Sequence, residues 1–318
     1  MHLVLASGFN TSLFFQQVEN GIVIGAIYAL ISLGYTLVYG IIELINFAHG
    51  DVFMWSTIVT LAVAQSMGLD KLTSPLSIIP LVGVLVLLLV IGALTSAAIN
   101  VTIERFAYRP LRKAPRLLPL ISAIGVSFVL QNLAQLWRGA AGTAYPAFFP
   151  TTGIQIGSFT LETLDIFIVV LAVGLMIGLN RFINTTKLGR AMRATAQDPE
   201  AAQLMGVNIN RTIATTFLIG GALAGAAGVI YSMKFNFVRV DIGLPVGLTA
   251  FTAAVLGGIG NPTGAMLGGF LIGLIEALVT QYVPNGLAWS DAFVFGILIM
   301  ILVFRPSGLL GQQVPDKV

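Results

Sequence analysis

Nine long apolar runs dominate this sequence and leave few folds open to it. They cover residues 20–42, 50–68, 77–101, 117–136, 163–180, 212–233, 245–260, 263–282 and 291–304. A helix needs about 20 apolar residues to cross the hydrocarbon of a bilayer, so the runs predict membrane-spanning helices. The run 245–260 is the weakest, because it is short and closes on Gly257, Gly258 and Gly260. If it only re-enters the membrane, the expected spans fall from nine to eight. The alternating pattern of short segments that marks an outer-membrane barrel is absent. Hydrophobic residues make up 57% of the 318 residues and charged residues 9%, against roughly 25% charged in soluble domains. The expected fold is an all-α polytopic membrane protein, with residues 1–318 forming one transmembrane domain.

Several functions are excluded by what the chain lacks. It has no cysteine, so disulfides and thiolate metal sites are ruled out, and its two histidines, His2 and His49, make no convincing metal site. The N-terminus has no basic segment ahead of an apolar one, so no cleavable signal peptide is expected. The net charge of +3 does not point to nucleic acid, since the basic residues cluster beside the spans. No Ser-His-Asp, paired-carboxylate or metal constellation is evident.

Those basic residues set an orientation. Of sixteen Lys and Arg, five lie in 104–116 (Arg105, Arg109, Arg112, Lys113, Arg116) and five in 181–211 (Arg181, Lys187, Arg190, Arg193, Arg211). Basic loops stay cytoplasmic, and these two follow the third and fifth spans, so they agree in parity. The tail, with Arg305 and Lys317, falls on the same side. The N-terminus is expected outside and the C-terminus inside.

An internal repeat is suggested by N-F-A-H-G-D at 46–51 and N-F-V-R-V-D at 236–241. The same offset carries span 20–42 onto 212–233 and 50–68 onto 245–260. Five spans separate each member from its partner, so the halves, about 20–136 and 212–304, would have opposite orientation, four spans plus four around a central one. Inverted repeats of this kind recur in transporters, with the pathway at the repeat interface. Glycines four apart, such as Gly221 and Gly225 or Gly269 and Gly273, fit close helix packing in lipid.

Between the fifth and sixth spans lies a loop, 181–211, far longer than the few residues usual in compact bundles. Within it Asp198 can cap a helix, Pro199 suits its first turn and Gly206 can close it, so a short helix is expected at about 199–205. A structured loop of that size invites a partner. The chain supplies no engine of its own, since none of its lysines (Lys71, Lys113, Lys187, Lys234, Lys317) follows a glycine as a phosphate-binding loop requires. Either an ion gradient drives transport, or a separate ATPase docks on the loop.

D-P-E-A-A-Q-L-M-G-V-N at 198–208 resembles the E-A-A-x-x-x-G signature of ABC importer permeases. Together with N-G-I-V-I-G-A-I-Y-A-L-I-S-L-G, N-F-A-H-G-D, G-R-A-M-R-A-T-A-Q-D and the terminal F-R-P-S-G-L-L-G, it looks like the branched-chain amino-acid permease subunit of high-affinity, binding-protein-dependent importers, from about Asn20 to Gly311. The resemblance implies a multi-pass permease of the bacterial inner membrane. It implies pairing with a second, paralogous permease, two cytoplasmic ATPases that use ATP and magnesium, and a periplasmic binding protein. No cofactor is expected in this chain and no enzymatic activity. By the same resemblance Glu200, Ala201, Ala202 and Gly206 belong to the helix that couples to the ATPase, started by Asp198 and Pro199 and flanked by Arg190 and Arg193. Related permeases are associated with urea and short amides, so that substrate class and a gradient-driven transporter stand as alternatives.

Ionisable residues at membrane depth are functional candidates. Here they are Glu43, His49, Asp51, Asp241 and Glu276. Asn46, His49 and Asp51 either hold the broken ends of the first two spans or line the translocation path. Support is favoured, because a binding protein usually supplies most of the selectivity. Asn236 and Asp241 hold the corresponding places in the second half, and an interfacial ion pair with Lys234 or Arg239 would account for Asp241. Histidine in one copy and arginine in the other argues against a shared chemical role.

Overall fold

The computed structural model describes residues 11–311 apart from 73, 113, 116, 151, 157 and 158. His2, Lys113, Arg116 and Lys317 lie outside the described residues.

The apolar runs fold as helices, with the prolines at their starts rather than in their interiors. In chain order these are α1 (Thr11–Ile42), α2 (His49–Ser66), α3 (Ile78–Ile103), α4 (Leu117–Arg138), α5 (Thr163–Thr185), α6 (Lys187–Gln197), α7 (Pro199–Leu204), α8 (Ile209–Phe235), α9 (Gly243–Gly257), α10 (Pro262–Tyr282) and α11 (Gly286–Phe304). Pro80, Pro119, Pro199, Pro245 and Pro262 all fall in first turns, where a missing N–H breaks no helical bond. Seven of these helices are long and apolar enough to cross a membrane: α1, α3, α4, α5, α8, α10 and α11. The other two expected spans are present as shorter helices. α2 has 18 residues and opens on His49, Gly50 and Asp51, and α9 has 15. At 1.5 Å per residue they reach about 27 and 22 Å, less than the roughly 30 Å of a hydrocarbon core.

α1 and α8 form the centre. Of the most apolar stretch of α1, 89% is buried inside the molecule, against 11% for α11. The packing is close because the contacts are glycines. A side chain at Gly25 of α1 would meet the α10 backbone at 2.7 Å, and one at Gly221 of α8 would meet the Ser96 carbonyl of α3 at 2.6 Å. Small residues let backbones approach in lipid, where hydrophobicity cannot drive association. Hydroxyls add bonds across the same seams: Ser32 Oγ donates to the Ala265 carbonyl at 3.0 Å and Ser96 Oγ to that of Val52 at 2.8 Å.

The pairings recur when α1 is exchanged for α8, α2 for α9, α3 for α10 and α4 for α11. α1 lies on α10 as α8 lies on α3, and α2 lies on α3 as α9 lies on α10. One pair departs from this. α11 packs on α10, whereas α3 and α4 are splayed around an apolar cavity of about 510 Å³ lined by Ile99, Phe106, Val126 and Val129.

The helical expectation holds for most of the chain, and the connections add short strands. Among the described residues there are four: β1 (Thr143–Ala144), β2 (Gly153–Ile156), β3 (Phe159–Glu162) and β4 (Phe237–Val238). β1 pairs antiparallel with β4, and β2 with β3. They lie in connections between helices, where the backbone must find partners outside a helix. At the other end of the bundle the tail folds back: Leu309 and Leu310 N–H donate to the Leu256 and Gly257 carbonyls at 2.8 and 2.9 Å. Gly308 takes a φ of 74° there, a conformation glycine adopts without penalty.

Candidate functional site

α1 ends at Ile42, and Glu43 reverses the chain with a φ of 52°. The chain then turns back into the bundle. His49 lies against Gly34, two turns before the end of α1, which places the start of α2 about 12 Å inside. Three polar side chains occupy this break, all buried. Asn46 Nδ2 donates to Asn100 Oδ1 at 3.1 Å, and its own Oδ1 accepts from the Ala48 N–H at 3.2 Å and the Tyr108 hydroxyl at 3.4 Å. Asn100 passes the chain on to the Phe217 carbonyl of α8 at 2.6 Å. Asp51 accepts from Ser127 Oγ and, at 3.0 Å, from Gln131 Nε2, both on α4. His49 packs edge-on to Tyr35 with ring centroids 4.7 Å apart, and neither ring nitrogen has a hydrogen-bond partner among the described residues.

The second hexapeptide sits differently. α8 ends at Phe235 and Asn236 reverses the chain with a φ of 51°, so by helix end it answers Glu43 rather than Asn46. Asn236 is exposed, and its carbonyl accepts from the Tyr145 N–H at 2.9 Å. Asp241 pairs with Arg239 at the surface, both side chains more than half exposed. Beyond this break the chain also turns inward, and α9 starts against α2. A side chain at Gly247 would meet the Gly50 Cα at 2.9 Å. The two breaks open from opposite ends, yet the helix starts that follow them meet inside the bundle. Both helix starts thus lie beside Asp51, whose carboxylate a side chain at Gly243 would meet. Glu276 is apart from this group, half-buried on α10 with Tyr28 of α1 as its neighbour.

At the end of the bundle that carries the α1–α2 turn, α6 and α7 form an elbow. α6 was not expected from the sequence. Thr186 caps it by accepting from the Gly189 N–H at 3.0 Å, and Gly189, Met192 and Thr195 are its buried face. Arg190 Nη1 donates to the Thr185 carbonyl at 3.3 Å, and Arg193 Nη1 to that of Ile183. These cations therefore close the C-terminus of α5, where cations are favoured. α7 is capped at both ends. Asp198 Oδ1 accepts from the Glu200 and Ala201 N–H groups, each at 3.0 Å, with Pro199 in the first turn. At the other end Gly206 takes a φ of 85° while the Val207 and Gly206 N–H groups donate to the Ala202 and Gln203 carbonyls, the paired bonds of a Schellman closure. Ala202 faces inward, Glu200 and Ala201 outward. Leu204 and Met205, which the sequence reading passed over, stand 89% and 85% exposed at the tip.

The elbow and the helix break lie at the same end of the bundle. Between them lies a cavity of about 660 Å³ whose lining includes Glu43, Arg112, Asp198, Glu200 and Ile213. Arg112 donates to the buried Glu104 and, at 2.8 Å, to Asn210 Oδ1. Burial pulls the Arg112 guanidinium below its usual pKa, while Glu104 pushes it back up. Asn100, Glu104, Tyr108, Ser127 and Gln131 were likewise not singled out. Ser127 and Gln131 had a readable signal, two polar residues one turn apart on an apolar helix.

The helices and their meeting starts define a multi-pass helical membrane protein. A profile of the family described as the permease component of branched-chain amino acid transport systems matches residues 17–302. The chain belongs to that family. It is 41% identical to the high-affinity branched-chain amino acid transport system permease protein BraD of Pseudomonas aeruginosa, over 96% of this chain and 98% of that protein. Identity to the corresponding LivH protein of Salmonella typhimurium is 42%, over the same shares. A probable branched-chain amino acid transport permease protein of Methanocaldococcus jannaschii is 27% identical over 92% of this chain and 91% of its own length.

Proposed function

We propose that this chain is the permease subunit of an ABC importer that carries branched-chain amino acids inward across the bacterial inner membrane. The observation that carries the reading is the end-to-end similarity to permeases bearing that name, at 41% and 42% identity. ATP and magnesium are handled by two cytoplasmic ATPases, a periplasmic binding protein delivers the substrate, and a paralogous permease completes the pathway. The end carrying α6 and α7 faces the cytoplasm, in keeping with its basic residues. α7 enters a groove of the ATPase, with Asp198, Pro199 and Gly206 holding its shape and Glu200, Ala201, Leu204 and Met205 at the contact. The exposed apolar tip supports this, since adjacent large apolar side chains left exposed mark interaction sites. The recurring helix pairings support two inverted halves around α5, and the pathway runs beside the meeting starts of α2 and α9.

The reading is tested in cells lacking other leucine importers. ATP-dependent leucine uptake and copurification of a soluble ATPase with this chain are expected, with both lost on Leu204→Asp. Uptake that collapses with an uncoupler while ATP is held constant would replace it with a gradient-driven transporter. Uptake of urea or acetamide but not leucine would keep the class and change the substrate.

A further inference from the structure

The network around Arg112 reaches further than its two bonds suggest. Asn210 stands in the first turn of α8, next to the short connection from α7, and Asn208 caps that turn by accepting from the Arg211 N–H at 3.0 Å. Arg112 holds Asn210 with one guanidinium nitrogen and Glu104 with another. Glu104 opens a π-helical turn, Glu104–Tyr108, at the end of α3, and both of its end residues are buried. Such wide turns often sit where a helix serves a function. The Tyr108 hydroxyl donates to the Ile45 carbonyl at 3.0 Å, inside the α1–α2 break. From there Asn46 and Asn100 return the network to α8 at Phe217, two turns beyond Asn210. The end of α3 thus grips α8 at two points and the helix break at a third, with the cavity beside α7 leaving room for the elbow to shift.

We propose that Arg112 and Glu104 are a positioning pair that transmits movement of α7 and the start of α8, through the π turn, to the start of α2. The pair touches neither substrate nor nucleotide; it joins the element that meets the ATPase to the break beside the meeting helix starts. Glu104 is 2% exposed at its side chain and Arg112 18%, so the pair is less screened by salt than a surface pair. This inference rests on the reading of α7 as the docking helix.

The test uses the assembled importer in proteoliposomes, with leucine uptake and ATP hydrolysis measured together. Asn210→Ala removes only the α8 end of the link. Arg112→Lys can pair with Glu104 but lacks the fork that reaches both acceptors. Both variants are expected to assemble, keep the unaltered complex's thermal stability to within a few degrees, and hydrolyse ATP. Leucine moved per ATP should fall about tenfold, within the usual range of coupling between sites. Adding Glu104→Gln to either variant should lower it little further, because one link is being cut. Full coupling in both variants would overturn the proposal, as would a fall in uptake matched by equal loss of ATP hydrolysis or of assembly. If the unaltered chain copurifies with no ATPase, the docking reading itself has failed, and that is seen before any variant is made.

Discussion

Gly34 and His49 form a pair in which one residue exists to make room for the other. A methyl group on Gly34 would run into the His49 imidazole and come within 3.0 Å of the Gly220 carbonyl on α8. Gly34→Ala should therefore cost about 1–3 kcal/mol as an overpacked core change, read as a lower melting temperature of the purified permease. His49→Ala in the same chain should recover most of that loss, and an equal loss in the double variant would refute the pairing. The residues at this break stood out in the sequence because they are polar in apolar surroundings. Their partners did not: Asn100, Tyr108 and Ser127 are distant along the chain, and no local pattern joins them to Asn46 or Asp51. The second hexapeptide misled for a related reason. Three matching letters aligned Asn236 with Asn46, whereas the backbone reversal aligns it with Glu43.

At the scale of elements, α7 was legible because its signals are local: a cap, a proline and a closing glycine within nine residues, 198–206. Removing them should loosen it. Asp198→Ala gives up bonds to two N–H groups and should cost about 1 kcal/mol of helix stability. Gly206→Ala forces a side chain to a φ of 85° and should cost about as much. Each variant should weaken ATPase copurification several-fold while leaving the permease's own thermal stability nearly unchanged. A matching fall in permease stability would show that α7 braces the bundle instead. α6 escaped notice because Lys187, Arg190 and Arg193 made it resemble a charged loop, although Gly189, Met192 and Thr195, the face it buries, recur three apart. The strand pairing of Thr143 with Val238 depends on two connections far apart in the chain, which periodicity cannot register.

For the whole molecule, the apolar runs set the class and the basic loops set the expected sides, and the absence of cysteine makes the sides directly measurable. A membrane-impermeant thiol reagent should label Gln155→Cys, on the β2–β3 hairpin, in intact spheroplasts. It should label Leu204→Cys only after permeabilisation, and the reverse pattern would invert the topology. Burial also divides the helices unequally. α1, α3, α8 and α10 are joined backbone to backbone by glycine. α4 is attached to α2 by side chains: Ser127 and Gln131 on Asp51, the Trp55 indole N–H on the Leu130 carbonyl at 3.1 Å, and the stacked rings of Trp55 and Trp137. Replacing Asp51 with leucine should loosen that attachment, with faster amide exchange along α4 and little change in α1 or α10. α4 would then be the last helix to join during biogenesis and the first to leave under stress, a seam of weakness parallel to the helices along which the protein comes apart before it unfolds.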